Sequence, residues 1–196
     1  MEHTIVQYTL EPGAFEVEYI EKHFLEFPEK KTAAEIIDRL RDREHLILLS
    51  MAPSIDDGEI IPVAYKIGHE LRIAETDLQL IDLVAQVEDV VDFDNRRIFY
   101  SWIGGTREEW RGQRHYRALT EQQEDWAHSH GYDEMLVKTK NKYYAMRGTL
   151  DHLHFDVVKF QHHNTDNRES KVYLSKKIGS DVLRQHRTSR SVVEAA

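Results

Sequence analysis

Four arginines, Arg107, Arg111, Arg114 and Arg117, fall within eleven residues, in and just after the run Ile103-Gly-Gly-Thr-Arg-Glu-Glu-Trp-Arg-Gly-Gln-Arg-His-Tyr116. An apolar strand-like segment ends there in two glycines, and a helix pattern starts near Gly112. Backbone N–H groups, the positive end of the helix dipole and guanidinium charge converge on one point, which is the make-up of an anion site. A strand-loop-helix connection whose arginines offset neighbouring acids fits the same residues, and from this stretch alone the two readings stand level. Elsewhere the chemistry-bearing residues are thinner. His152, His154, His162 and His163 gather near the C-terminal end, without a cysteine or a His-Glu motif to make a metal site, and read as solvated or packing histidines. The chain has no cysteine, so disulfides, thiolate nucleophiles and thiolate metal sites are excluded.

The elements that must position these residues follow from periodicity. A strand is expected over His3 to Leu10, ending at the turn Glu11-Pro12-Gly13. Val17, Ile20, Phe24 and Phe27 recur at helical spacing and Pro28 closes that helix. Thr32-Ala-Ala-Glu35 is a capping box, followed by the apolar face Ala33, Ile36, Ile37 and Leu40. The apolar run His45 to Met51 and the alternating run Ile61 to Ile67 predict an antiparallel hairpin across Asp56-Asp57-Gly58. Residues 76–95 are acidic yet rich in Leu, Ile and Val, and fit a helix and a strand equally. Arg97 to Ile103 predicts a buried strand, and Arg111 to His130 a helix capped by Gly131. Glu134 to Thr139 predicts a strand and Tyr143 to Leu153 a helix. Phe155 to Phe160 and Lys171 to Ile178 predict a last hairpin around the polar loop His162 to Glu169. The expectation is an α/β fold: a mixed, mostly antiparallel central sheet with helices on both faces, one domain over residues 1–179, and a polar, mobile tail over 180–196.

Length and charge bound the function. The chain has 196 residues, in the range of about 100–200 residues expected of one domain. Twenty-six Lys and Arg against 35 Asp and Glu give a formal charge of −9, which repels nucleic acid and anionic membrane at long range. No run approaches the ~20 apolar residues of a membrane helix, and the N-terminus lacks the basic and apolar regions of a secretory signal. Cytoplasmic residence, no nucleic-acid partner and no membrane are the expectations; a homodimer is allowed by the sequence.

At the arginine-rich junction the order of elements and the local residues resemble the GNAT superfamily of acyl-CoA-dependent N-acetyltransferases, over about Leu10 to Ile178. The family pattern Q/R-x-x-G-x-G/A falls on Arg111-Gly112-Gln113-Arg114-His115-Tyr116, so Arg114 and Tyr116 stand where glycine, and glycine or alanine, are usual. Gly131-Tyr132 ends the long helix, Asn141 and Ala145 open the next segment, and His154-Phe155 occupies the place of Gly-Phe. Phe99 to Gly105 and Lys138-Thr-Lys-Asn141 also look like one branch of bacterial GNAT proteins. The resemblance implies a splayed central strand, acetyl-CoA as co-substrate, no metal, and direct transfer to a primary amine, whether a small-molecule amine, a lysine side chain or an amino-terminus. It implies cofactor binding by Gly104, Thr106, Arg111, Gly112, Gln113, Arg114, His115, Tyr116 and Asn141. Main-chain donors near Gly104 would polarise the thioester. Glu70 is the first candidate for the base and His69 the second. Tyr100 is a wall or relay residue, Trp102 a core or pocket-lining residue. The family's tyrosine acid falls on Leu150, leaving Tyr143 and Tyr144 nearby, with Tyr144 taken as the catalytic candidate. The negative net charge favours a cationic acceptor. The competing reading is a catalytically silent acyl-CoA-binding, regulatory or interaction module on the same fold.

Overall fold

The computed structural model describes residues 4–10, 15–24 and 30–194. Its elements are β1 (Thr4–Tyr8), α1 (Phe15–His23), α2 (Ala33–Leu40), β2 (His45–Pro53), β3 (Ile60–Leu71), α3 (Leu78–Val87), β4 (Ile98–Thr106), α4 (His115–Ser129), β5 (Glu134–Lys140), α5 (Tyr144–His152), β6 (Asp156–Gln161), β7 (Lys171–Lys177) and α6 (Ser180–Glu194). Single 3-10 turns lie at Glu108–Trp110 and Asn167–Glu169. The strands order β1-β2-β3-β4-β5-β7-β6. Pairing is antiparallel for β1 with β2, β2 with β3, β5 with β7 and β6 with β7, and parallel for β4 with β5 over Ile98–Tyr100 and Glu134–Leu136. The mixed, mostly antiparallel α/β sheet expected from the sequence is therefore present. The chain forms two compact units, Met1–His69 with Trp102–Gln123, and Glu70–Ser101 with Glu124–Ala196.

In the first unit the capping box forms. The Thr32 hydroxyl accepts from the Glu35 N–H at 3.2 Å and the Glu35 carboxylate accepts from the Thr32 N–H at 2.9 Å, satisfying two donors that a helix start leaves without partners. Ala33, Ile36 and Leu40 of α2 then pack with Val17 and Ile20 of α1, Phe24, and Ile47, Leu49, Tyr65 and Ile67 of the hairpin. Helix α1 stops at His23, short of the expected Phe27; Pro28 and the Glu11-Pro12-Gly13 turn lie outside the described residues. Because strand side chains alternate, Ile47, Leu49 and Tyr65 face α1 and α2 while Ser50 and Lys66 reach residues at the start of α4.

In the second unit the ambiguous segment 76–95 contains helix α3. Asp77 caps it, its carboxylate accepting from the N–H groups of Gln79 and Leu80, and Leu80, Leu83, Val84 and Val87 bury one face. Gly131, at φ +78°, follows α4 as expected, and the Tyr132 N–H returns to the Ala127 carbonyl at 3.0 Å. The segment beyond Gly179 differs from the expected tail: it is helix α6. Leu183 is buried, the His186 ring stacks on His154 with centroids 4.1 Å apart, and Arg187 pairs with Asp125 at 2.6 Å. Three contacts on one helical face fix a segment whose polar composition hides them.

Candidate active site

In the first unit, β4 ends at Thr106 and the next N–H, of Arg107, still donates to Val63 of β3 at 3.0 Å. The following 3-10 turn seats Trp110, 1% exposed, against Ala52 and Val63. Arg111 Nε donates back to the Thr106 carbonyl at 3.3 Å, and Gln113 Nε2 to the Glu109 carbonyl at 3.3 Å, so both side chains brace the loop. Gly112 and Arg114 turn the chain at φ +77° and +66°, and the Arg114 carbonyl then accepts from Ala118 at 3.0 Å as α4 begins. The first-turn N–H groups of a helix have no intrahelical acceptor, and Arg111, Arg114 and Arg117 flank that start in the chain.

The next two residues anchor that helix start. The His115 ring, 3% exposed, shares a 2.9 Å hydrogen bond with Ser50 Oγ and meets Trp110 edge to face. Its imidazole belongs to the interior. Lys66, 2% exposed, donates to the Tyr116 hydroxyl at 3.1 Å with its ammonium 4.2 Å from the ring centre; burial pushes the Tyr116 hydroxyl well above the usual phenol range. A Cβ on Gly104 would lie 3.0 Å from the Tyr65 carbonyl oxygen and 3.4 Å from Lys66 Cγ, so this glycine lets β4 press against β3. Gly104, Lys66 and Tyr116 thus come together. Ser50 and Lys66 were not found by sequence reasoning, because each sits in an apolar strand run that reads as core. Also in this unit, His69 is fully buried, edge-on to Trp102, and the Arg39 guanidinium lies over the Trp102 ring at 4.7 Å.

In the second unit Tyr100 is 6% exposed, opposite Leu136. Glu70 Oε2 accepts from Arg72 Nε at 2.7 Å, and Arg97 lies 3.6 Å from Oε1, so the carboxylate is flanked by two guanidinium groups. Asn141 is engaged on every side: its N–H donates to Ser170, its Nδ2 to the Asn167 carbonyl at 3.0 Å, and its Oδ1 accepts from Arg147. Tyr144 opens α5, 62% exposed, lining a cleft of about 370 Å³ with Arg147, Asp151 and Phe155. Among the described residues no group of three or more His, Asp or Glu is arranged to hold a metal, and no helix is long and apolar enough to cross a membrane.

No protein-family model and no curated protein sequence matches the chain. Solved structures do. The Arabidopsis thaliana protein NAA60 in complex with acetyl-CoA superposes with a TM-score of 0.66 at 12% identity, covering 89% of this chain and 99% of that one. The NatC complex bound to Gag peptide and CoA gives 0.63 at 13%, covering 89% and 99%. The ribosomal-protein-S18-alanine N-acetyltransferase from Escherichia coli gives 0.58 at 15%, covering 90% and 95%. The chain has the GNAT fold.

Against the GNAT motifs the backbone is informative. Among the described residues two that are not glycine adopt positive φ, Arg114 at +66° and His154 at +63°. Both stand where the GNAT motifs named above carry glycine. Each holds a left-handed conformation that glycine adopts more freely.

Proposed function

We propose that this protein is an N-acetyltransferase that carries an acetyl group from acetyl-CoA directly to a primary amine. The observation that carries the reading is the junction from Thr106 to Arg117. There a strand-loop-helix of the GNAT fold takes positive φ at Gly112 and Arg114, is braced by Arg111 and Gln113, and leads into the N-terminus of α4, with Arg111, Arg114 and Arg117 close by in the chain. A pyrophosphate fits that chemistry. Arg111 and Arg114 contribute charge, Gly112 and His115 contribute main chain, and Gln113 and Tyr116 hold the shape. Gly104 and Thr106 offer strand edges to the amides of the pantetheine arm. Asn141 serves by tying down the segment at Asn167 and Arg147.

In the reaction the neutral amine nitrogen bonds to the acetyl carbonyl carbon, the carbon–sulfur bond breaks, and CoA leaves as its thiolate. One proton leaves the amine nitrogen and one reaches the sulfur. Tyr100 walls the acceptor side, Glu70 takes the amine proton through water, and Tyr144 supplies the sulfur's proton. The acceptor is an amine of the kind found on a peptide terminus or a lysine, in keeping with the Gag peptide bound to the structurally similar NatC complex. A second reading, an acyl-CoA-binding module without turnover, is favoured by one feature: Glu70 is held between Arg72 and Arg97. The test is thiol release from acetyl-CoA with mass detection of acetylated product over a panel of amines and peptides. Product from any acceptor, with KM for acetyl-CoA raised roughly tenfold or more in Arg114→Glu, supports transfer. CoA binding without product over the whole panel supports the silent module.

A further inference from the structure

In the second unit, the sheet face on which α3 lies carries four lysines from three neighbouring strands. The registers Lys138↔Tyr173↔Lys159 and Lys140↔Lys171↔Gln161 set six side chains in two adjacent rows, since directly opposed residues share a face. The contacts agree: Asp82 of α3 lies 4.0 Å from Lys138 Nζ and 3.9 Å from Lys171 Nζ, and Asp89 accepts from Lys159 at 2.8 Å. Between the rows the Tyr173 hydroxyl donates to Gln161 Oε1 at 3.1 Å.

Lys140 directly opposite Lys171 is a like-charge pair, which weakens a sheet. Carboxylates are shared here: Glu169 takes both Lys140 at 3.1 Å and Lys142 at 2.6 Å, and Asp82 lies beside both Lys138 and Lys171. Each carboxylate serves two ammonium groups, and these four lysine side chains stay between 26% and 39% exposed, within reach of a further anion. A local arrangement that sheet energetics disfavour points to a use outside folding.

Position suggests the use. Tyr100 stands opposite Leu136, and Lys138 then Lys140 are the next residues of β5 on the same face. At ~3.3 Å per residue, Lys138 and Lys140 stand ~7 Å apart along β5, the spacing of alternate residues in an extended peptide. We propose that the acceptor is a peptide whose free amino-terminus is followed by Asp or Glu residues, and that Lys138, Lys140 and Lys171 bind those carboxylates. This rests on the N-acetyltransferase reading. The same lysines disfavour the protonated form of an amine brought beside them, which favours the neutral nucleophile that attack requires. They also repel a polycation. The cationic acceptor expected from the net charge of −9 is thus opposed by the local field, which dominates within a screening length of ~8–10 Å.

The experiment offers two peptides with identical amino-terminal residues, one continuing with three glutamates and one with three lysines. kcat/KM for the acidic peptide should exceed that for the basic one by about tenfold or more at low salt, and the ratio should shrink towards one near roughly 0.5 M salt. Lys138→Ala with Lys171→Ala should remove most of the preference, and Asp82→Asn, which removes a carboxylate beside both lysines, should raise it. That opposite change separates recognition from damage to the fold. Anisotropy of the labelled acidic peptide gives binding without turnover. Equal or reversed preference, or one that survives the double lysine substitution, overturns the proposal, as does absence of both binding and transfer. Tight, lysine-dependent binding without transfer supports this surface and counts against the transferase reading beneath it.

Discussion

Replacing Arg114 by glycine should stabilise the protein. Its backbone sits at φ +66°, and a left-handed conformation costs an L-residue with a side chain roughly 1–2 kcal/mol relative to the right-handed one. Glycine removes that cost but loses about 0.5–1 kcal/mol to the greater freedom of its unfolded chain. Arg114 is exposed, so little packing is lost, and the net gain is on the order of 0.5–1 kcal/mol. For a chain of 196 residues that is a rise of about 1–4 °C in Tm, at ~2–4 °C per kcal/mol. Arg114→Ala is the control, because alanine keeps the Cβ that makes the turn costly. The assay is thermal unfolding of the ligand-free protein. A Gly variant that melts with or below the Ala variant would refute the reasoning, and the left-handed turn would then carry no strain for glycine to relieve.

Two further outcomes follow from buried and partly buried charge. Glu124 and Lys176 pair at 2.8 Å with side chains 0% and 1% exposed; Lys176→Met alone should cost about 3–5 kcal/mol, and adding Glu124→Leu should restore most of it. A single substitution within about 1 kcal/mol of the parent in denaturant unfolding would show that the pair is not desolvated. Glu70→Gln should lower turnover and alter the acidic limb of the pH–rate profile if Glu70 takes the amine proton. An unaltered profile with a lowered Tm would leave Glu70 as the bridge between Arg72 and Arg97.

How much of this could be read from the sequence depended on whether the signal was local. The Thr32–Glu35 capping box and the β2–β3 hairpin are set by neighbours in the chain, and both form. Helix α3 was missed because its apolar residues fit two periods; the deciding feature is the Asp77 cap, one side chain at its start. Helix α6 was missed because Leu183, His186 and Arg187 are held by partners far away in sequence. The junction at Arg111 to Tyr116 was visible, but the direction of its side chains was not: whether His115 faces a ligand or Ser50 depends on a strand 65 residues away. The lysine rows were invisible for the same reason, since only the register of β5, β7 and β6 sets Lys140 against Lys171.

The most direct test of the central claim, that the junction from Thr106 to Arg117 binds an acyl-CoA, is thermal unfolding with and without acetyl-CoA, with adenosine and pantetheine fragments as controls. Ligand at about 100 times its Kd should add ~2.7 kcal/mol, a rise of roughly 5–11 °C at ~2–4 °C per kcal/mol. The account expects that rise with acetyl-CoA, its absence with either fragment, and its reduction in Arg114→Glu. An unchanged Tm at millimolar acetyl-CoA would contradict it.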